Sequence, residues 1–375
     1  MRKFTCFLFE NFDPDREAEN TTNPRRVLNA SADAVLSRVA EFPPLGCPAD
    51  GLRREFGSGV ERLIAAGALR EEQGYLSYDT PVFLREDVPA LEAFFSRAAA
   101  PLADRLWEIR EALWAAARAV ENGFDPRRNL YHILCGMILD GGFFDALQRR
   151  EAVAAARDHP SGLNYLSVIY QEDDALSAFS DGLLCSYNRF TDGETSLESF
   201  GDGDGDRFDL YRCFRLREQG PLPEWFRQAG ALLDRLPRGR ERDVLLDGAR
   251  ALLRGEGCGG DCLALLELFG YARAGKIAVP VFSQADQAAI AAIGALVEDC
   301  LCAPVEAALK KAVETLPLTA LRHGAPKKEV ANELYHILFG GINEAMVRRG
   351  LVAAPPKRPG EGRFLSCIQS DTDIQ

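Results

Sequence analysis

Residues 130–136 read LYHILCG, and residues 334–340 read LYHILFG. Six of seven positions agree. Within each copy the Leu and Ile positions recur with helical period (Leu130, Ile133, Leu134; Leu334, Ile337, Leu338), so each copy predicts the buried face of a helix. Upstream, both copies are preceded by Pro-Val-Phe, at Pro81 and Pro280, with Asp87 and Asp286 close behind. A long helical pattern then contains Ala-Pro, at Pro101 and Pro304, where proline is expected to end or kink the helix. Downstream, NYLSVIYQEDD begins at Asn164 and RFLSCIQSDTD at Arg363, each reading as a strand followed by acid. KFTCFLFE at Lys3 and LYRCFRLRE at Leu210 form a further pair, apolar around a cysteine.

Landmarks in the same order imply an internal duplication. The expected fold is α+β and mostly helical, with a pseudo-two-fold pair of repeats. Repeat 1 is expected over 1–175, with a head at 25–87, helices at 88–150 and a strand at 163–171. Repeat 2 is expected over 207–375, with a head at 225–282, helices at 284–350 and a strand at 363–369. Between them, 176–206 alternates apolar runs with Asp-Gly, the signal for hairpins and an acidic turn.

In the first head, SADAVLSRVAEF starts with Ser31 as an N-cap and places Val35 and Val39 at helical spacing. A second helix begins near Pro48 and stops at Gly57; a third carries Val60, Leu63 and Ile64 and stops at Gly67. A hairpin then turns at Gln73-Gly74. Three helices followed by a hairpin, carried by VERLIAAGALREEQGYLSYDTPVF from Val60 to Phe83, resemble the winged helix-turn-helix domain of bacterial transcription regulators over residues 30–85. A degenerate second copy lies at about 225–282, with a shorter wing and an inserted Gly-rich loop, RGEGCGGDC. The resemblance implies a third helix that reads DNA, a hairpin wing, and following helices that serve as a dimer interface. In a duplicated chain that interface falls inside a monomer; a dimer is the other arrangement.

The chain has 375 residues, 47% of them hydrophobic and 27% charged, with a net charge of −12. Such a charge repels phosphate backbones unless folding gathers a basic patch. The arginines available for one are Arg53, Arg54, Arg62 and Arg70 in the first head, and Arg235, Arg238, Arg240, Arg242, Arg250 and Arg254 in the second. Acidic residues are interspersed among both sets. Two function classes follow: a regulator-like protein that binds DNA or responds to an effector, and an acidic module that docks a protein partner without touching DNA.

An enzyme is the third class, with a pocket built on Tyr131, His132, Tyr335 and His336. No nucleophile elbow, phosphate-binding Gly-Lys loop or H-E-x-x-H motif supports it. No catalytic residue, cofactor or metal is assigned. His132 and Cys135 have H-x-x-C spacing, but the second copy has Phe339 in place of the cysteine. Cys258 with Cys262, and Cys300 with Cys302, match no familiar zinc spacing. Asp202 to Asp206 fails as a calcium loop, because Arg207 and Cys213 stand where Gly and Glu are needed. Ten cysteines at irregular spacing suit free thiols in the cytoplasm. The short apolar run after Arg2 and Lys3 reads as a strand, and the apolar runs are too interrupted for a membrane span.

Overall fold

The structure is a computed structural model that describes residues 1–10, 27–28, 30–159, 164–180, 182–203, 207–358 and 362–371. The chain is α+β and mostly helical. It forms two compact units, neither of which is a single repeat. Unit 1 comprises Met1–Ala99, Asp145–Ser180 and Cys302–Leu338; unit 2 comprises Ala100–Phe144, Asp181–Leu301 and Phe339–Gln375. The first head is thus completed by helical chain from the second repeat, and the second head by helical chain from the first.

Unit 1 opens with strand β1 (Phe4–Glu10). Helix α1 (Ala30–Ala40) buries Val35, Leu36 and Val39 on one face. It begins before Ser31, so that serine lies in the first turn and not at the N-cap. The two-residue strand β2 (Cys47–Pro48) leads into α2 (Ala49–Phe56) and α3 (Ser58–Ala65). Pro48 sits at φ −67 just ahead of α2, the dihedral that proline supplies without cost. Gly67, at φ 65, closes the end of α3 and lets Ala68 N donate to Leu63 O at 2.9 Å. Strands β3 (Leu69–Glu72) and β4 (Tyr75–Tyr78) form the hairpin, and β2 adds to β4 to give the order β2-β4-β3. Gln73 and Gly74 both have positive φ, 53 and 82, as a type I′ turn requires.

The main sheet of unit 1 follows. Strand β5 (Val82–Phe83) runs parallel to β7 (Asn164–Gln171), β1 runs antiparallel on its other side, and β6 (Arg157–Asp158) hairpins onto β7. Val82 lies opposite Ile169, and Ile169 N donates to Pro81 O at 2.9 Å. Asp87 accepts from Leu84 N at 2.8 Å through one oxygen. Its other oxygen accepts from the backbone and hydroxyl of Thr319, at 2.7 and 3.0 Å, and so ties chain of the second repeat to the first head.

In unit 2, β8 (Leu184–Thr191) and β9 (Thr195–Asp202) form the hairpin expected in 176–206. The second head has helices at Arg227–Leu233, Glu241–Leu253 and Gly260–Leu268, then the short hairpin β10 (Ala272–Arg273) and β11 (Lys276–Ile277). Its turn repeats the positive φ pair, 50 at Ala274 and 74 at Gly275. Strand β12 (Val281–Ser283) runs parallel to the last long strand; β13 (Lys357–Arg358) hairpins onto that strand, β14 (Gly362–Ser370). The order is β12-β14-β9-β8. Val281 lies opposite Ile368, Ile368 N donates to Pro280 O at 2.9 Å, and Asp286 accepts from Ser283 N at 2.8 Å. These are the bonds of Val82, Ile169, Pro81 and Asp87 over again.

Strand β9 therefore holds the place of β1 in the second sheet. The segment at Leu210 does not: Leu210–Gln219 is a helix, with Asp209 as its N-cap accepting from Arg212 N at 2.7 Å. Leu210, Cys213 and Phe214 are buried at spacings of three and four, which is helical period. The Asp202–Asp206 turn lies partly outside the described residues, at 204–206; Asp202 itself is buried and ion-paired to Arg363 at 2.7 Å. Pro101 and Pro304 do not end their helices, which run through as Val88–Glu108 and Gln287–Thr315. The carbonyls released four residues earlier belong to the exposed Arg97 and the half-buried Cys300, where water can take up the lost bond.

The first motif copy continues a short helix, Pro126–Leu130, into the π-helical turn Tyr131–Gly142. The second lies in Lys327–Arg349. Their terminal glycines have the same use in unit 2. A Cβ on Gly136 would stand 3.3 Å from the Tyr187 ring, and one on Gly340 would stand 2.9 Å from Leu183 and 3.2 Å from Cys185. The leucines and isoleucines fill the core, and each glycine admits the chain at β8. Pro126–Arg149 and Gln284–Thr315 are long and apolar enough to cross a membrane by length and composition; the apolar window of the first is 67% buried in the fold and that of the second 28%.

Candidate functional site

On the first head, α2, α3 and the hairpin converge on Arg53. Its Nε donates to Glu61 on α3 at 2.7 Å, and its two terminal nitrogens grip Glu71 on β3 at 3.1 and 2.5 Å. Asp50, one turn earlier, stands at 3.9 Å. Hydrogen bonds to Glu71 and Glu61 hold the guanidinium charged and push its pKa further up, and Arg53 in turn holds the Glu71 carboxyl below its usual range. Arg70 points elsewhere: it donates to Gly324 O at 2.8 Å and His323 O at 3.0 Å. Arg62 is half-buried, with no hydrogen-bond partner for its Nε among the described residues, and Arg54 is exposed.

The second head treats its arginines alike. Arg235 pairs with Asp261 at 2.7 Å, Arg240 with Asp243 at 3.3 Å, and Arg254 with Glu256 at 2.8 Å. Arg250 joins Asp192 and Asp247. Arg242 lies over the rings of Phe190 and Phe214, at 4.7 and 5.5 Å, and Arg238 is exposed. In neither head are the arginines an unopposed field: at least six of the ten have a carboxylate within 4 Å, counting Arg70 at 3.9 Å from Asp79.

The four pocket candidates separate. Tyr131 and His132 lie in unit 2, and Tyr335 and His336 in unit 1. Tyr131 is fully buried and donates to Phe200 O at 3.1 Å; burial pushes its pKa well up. His132 is also fully buried, edge-on to Tyr131 at 5.5 Å, with no hydrogen bond to either ring nitrogen among the described residues. Burial and the nearby Arg128 push its pKa well down, so the ring is neutral. Tyr335 is buried, and His336 Nδ1 lies 3.0 Å from Asn332 O. On β9 the buried Glu198 accepts from Tyr187, from Gln369 at 2.8 Å and from the Cys367 thiol at 3.5 Å. Burial raises its pKa. A cavity of about 560 Å³ lies elsewhere, among residues 313–327 of unit 1, and includes none of the four.

Among the described residues no three His, Cys, Asp or Glu side chains are grouped as metal ligands, and the ten cysteines are unbridged. Sequence reasoning passed over the exposed apolar side chains of the first head, Leu45 and Tyr75. Tyr75 follows the Gln73-Gly74 turn, so its position at a hairpin tip was legible; its exposure was not. Comparison with family models, with curated proteins and with solved structures finds no match for this chain.

Proposed function

We propose that the chain is an acidic protein-docking module built on winged-helix-like heads, and that it does not bind DNA. The helix–strand–helix–helix–hairpin order of the first head, with its β2-β4-β3 sheet, supports the winged-helix reading. The observation that carries the functional choice is Arg53. It occupies the face where a DNA-binding head needs free cations, and it is committed to Glu61 and Glu71. A net charge of −12 adds long-range repulsion from phosphate. Free thiols in the fold suit a reducing cytoplasm.

The test is fluorescence anisotropy with labelled duplexes of mixed sequence at low salt. The reading expects no saturable binding. Affinity that falls steeply as salt is added would restore the regulator reading, because counterion release gives that dependence.

A further inference from the structure

Where the Glu241–Leu253 helix of the second head turns into the Gly260–Leu268 helix stand two cysteines, Cys258 and Cys262, separated by Gly259-Gly260-Asp261. Both pack against one residue of the first of these helices. A Cβ on Gly248 would fall 2.2 Å from Cys262 Sγ and 3.5 Å from Cys258 Cβ, so glycine at 248 is what admits the two together. Cys262 Sγ is held to the same helix by donating to Val244 O at 3.3 Å. The Cys258 side chain is hydrogen-bonded to that of Cys262, so the two sulfurs are neighbours in the fold as well as in the sequence.

Their exposure differs. Cys262 is buried, whereas Cys258 is half-buried in an otherwise exposed run, 254–260. Burial, and then the neighbouring Cys258, push the Cys262 thiol up to about 12, so Cys258 is the sulfur that meets a reagent from solution first. Gly257 and Gly259 have open space around them, which leaves the chain carrying Cys258 room to close onto Cys262. Cys300 and Cys302 are the contrast: two residues apart in one helix, they do not face each other.

We propose that Cys258 and Cys262 form a reversible dithiol–disulfide site whose oxidant is a low-molecular-weight disulfide of the glutathione class. The Cys258 thiolate attacks one sulfur of that disulfide, its S–S bond breaks, and the first small thiolate leaves. The Cys262 thiolate then attacks the Cys258 sulfur of the mixed disulfide and expels the second. The two protons given up by the protein thiols end on the two small thiols; the protein is oxidised by two electrons and the small disulfide is reduced by two. The second attack is intramolecular, which offsets the small thiolate fraction of Cys262. Excess small thiol reverses both steps, so the pair stays open in a reducing compartment and closes as the poise becomes oxidising. The site does not depend on the docking reading, and neither result of the DNA test bears on it.

The test incubates the native full chain in mixtures of reduced and oxidised glutathione, quenches with acid, alkylates the remaining thiols after unfolding, and reads tryptic peptides by mass spectrometry. Peptide 255–273 holds Cys258 and Cys262, and peptide 277–310 holds Cys300 and Cys302. Peptide 255–273 is expected to lose both alkylation sites and two hydrogens at a poise where 277–310 keeps both of its sites. Cys262→Ser is expected to stop at a glutathione adduct on Cys258, and Cys258→Ser to leave Cys262 fully alkylated. Oxidation of both peptides at the same poise, an adduct on Cys258 that persists in the unsubstituted chain, or full alkylation of 255–273 throughout would each overturn the proposal. An adduct on Cys262 in Cys258→Ser would overturn the order of attack.

Discussion

The two main sheets share a core of three strands and differ at one edge. Among the described residues, β1 in unit 1 pairs on one side only; in unit 2 its counterpart β9 pairs with β14 and is covered by β8 on the other side. All eight residues of β9 are buried as a result, including Glu198, Ser199 and Asp202. Once buried, those groups need partners, because an unpaired buried charge is costly. Arg207 supplies one: it lies 2.5 Å from Asp209, donates to Ser199 at 2.7 Å, and is almost wholly buried. Unit 1 has ionic ties that stay half-exposed, as in Arg2 with Glu86 at 3.2 Å. One added strand thus converted a surface edge into an interior that depends on its polar contacts.

That difference orders the expected effects of substitution. Arg207→Ala leaves Asp209 buried without its cation and should cost about 3–5 kcal/mol. Arg2→Ala, in a half-exposed setting of unit 1, should cost only about 1 kcal/mol or less by chemical denaturation. Equal costs would show that covering the edge carries no energetic consequence.

Gly201→Ala comes next. Its Cβ would fall 2.1 Å from Arg363 O, a backbone atom, so the strands must part; the expected loss is about 3 kcal/mol. At the corresponding register in β1 the residue is Glu10, opposite Tyr165. The close approach of β14 requires glycine at this register of β9. A stable Gly201→Ala variant would sever that contrast.

Unit 1 has a titrating group of its own. Glu329 lies 2.7 Å from Arg157, yet burial outweighs that attraction and pushes its carboxyl from 4.5 up to about 7. The folded protein therefore holds this proton more tightly than the unfolded chain. The stabilisation is complete below pH 4.5 and is lost as pH rises through about 7, a change on the order of 3 kcal/mol. Glu329→Gln should flatten the stability profile between pH 5 and 8; an unchanged profile would assign the dependence to another group.

The smallest effects concern the two motif glycines. Gly340→Ala meets Leu183 at 2.9 Å and should cost about 1–2 kcal/mol; Gly136→Ala, at the longer 3.3 Å from the Tyr187 ring, should cost less. The reverse order would mean that the two copies do not receive the β8 chain in the way described.

Local signals were legible in the sequence. The turn at Gln73-Gly74 and the stop at Gly67 each follow from a few adjacent residues, whereas Val82–Phe83 leaves the hairpin and joins β7 in the other sheet. Leu210–Gln219 was misread because a shared cysteine was given more weight than the spacing of Leu210, Cys213 and Phe214. Pro101 and Pro304 sit where lost hydrogen bonds can be replaced by water, a fact of exposure and not of pattern. The commitment of the arginines to Glu61, Glu71, Asp261 and Glu256 is tertiary. The composition of the two units is the least local feature, because Asp87 and Thr319 are far apart in the chain and adjacent in the fold.

The central structural claim is that each compact unit is made from both repeats. Its most direct test is a protease site inserted at the Asp192-Gly193 turn, where Gly193 has open space around it. After cleavage under native conditions the two fragments should elute together in gel filtration and melt as the intact chain does. Two fragments that separate and fold independently would contradict the account.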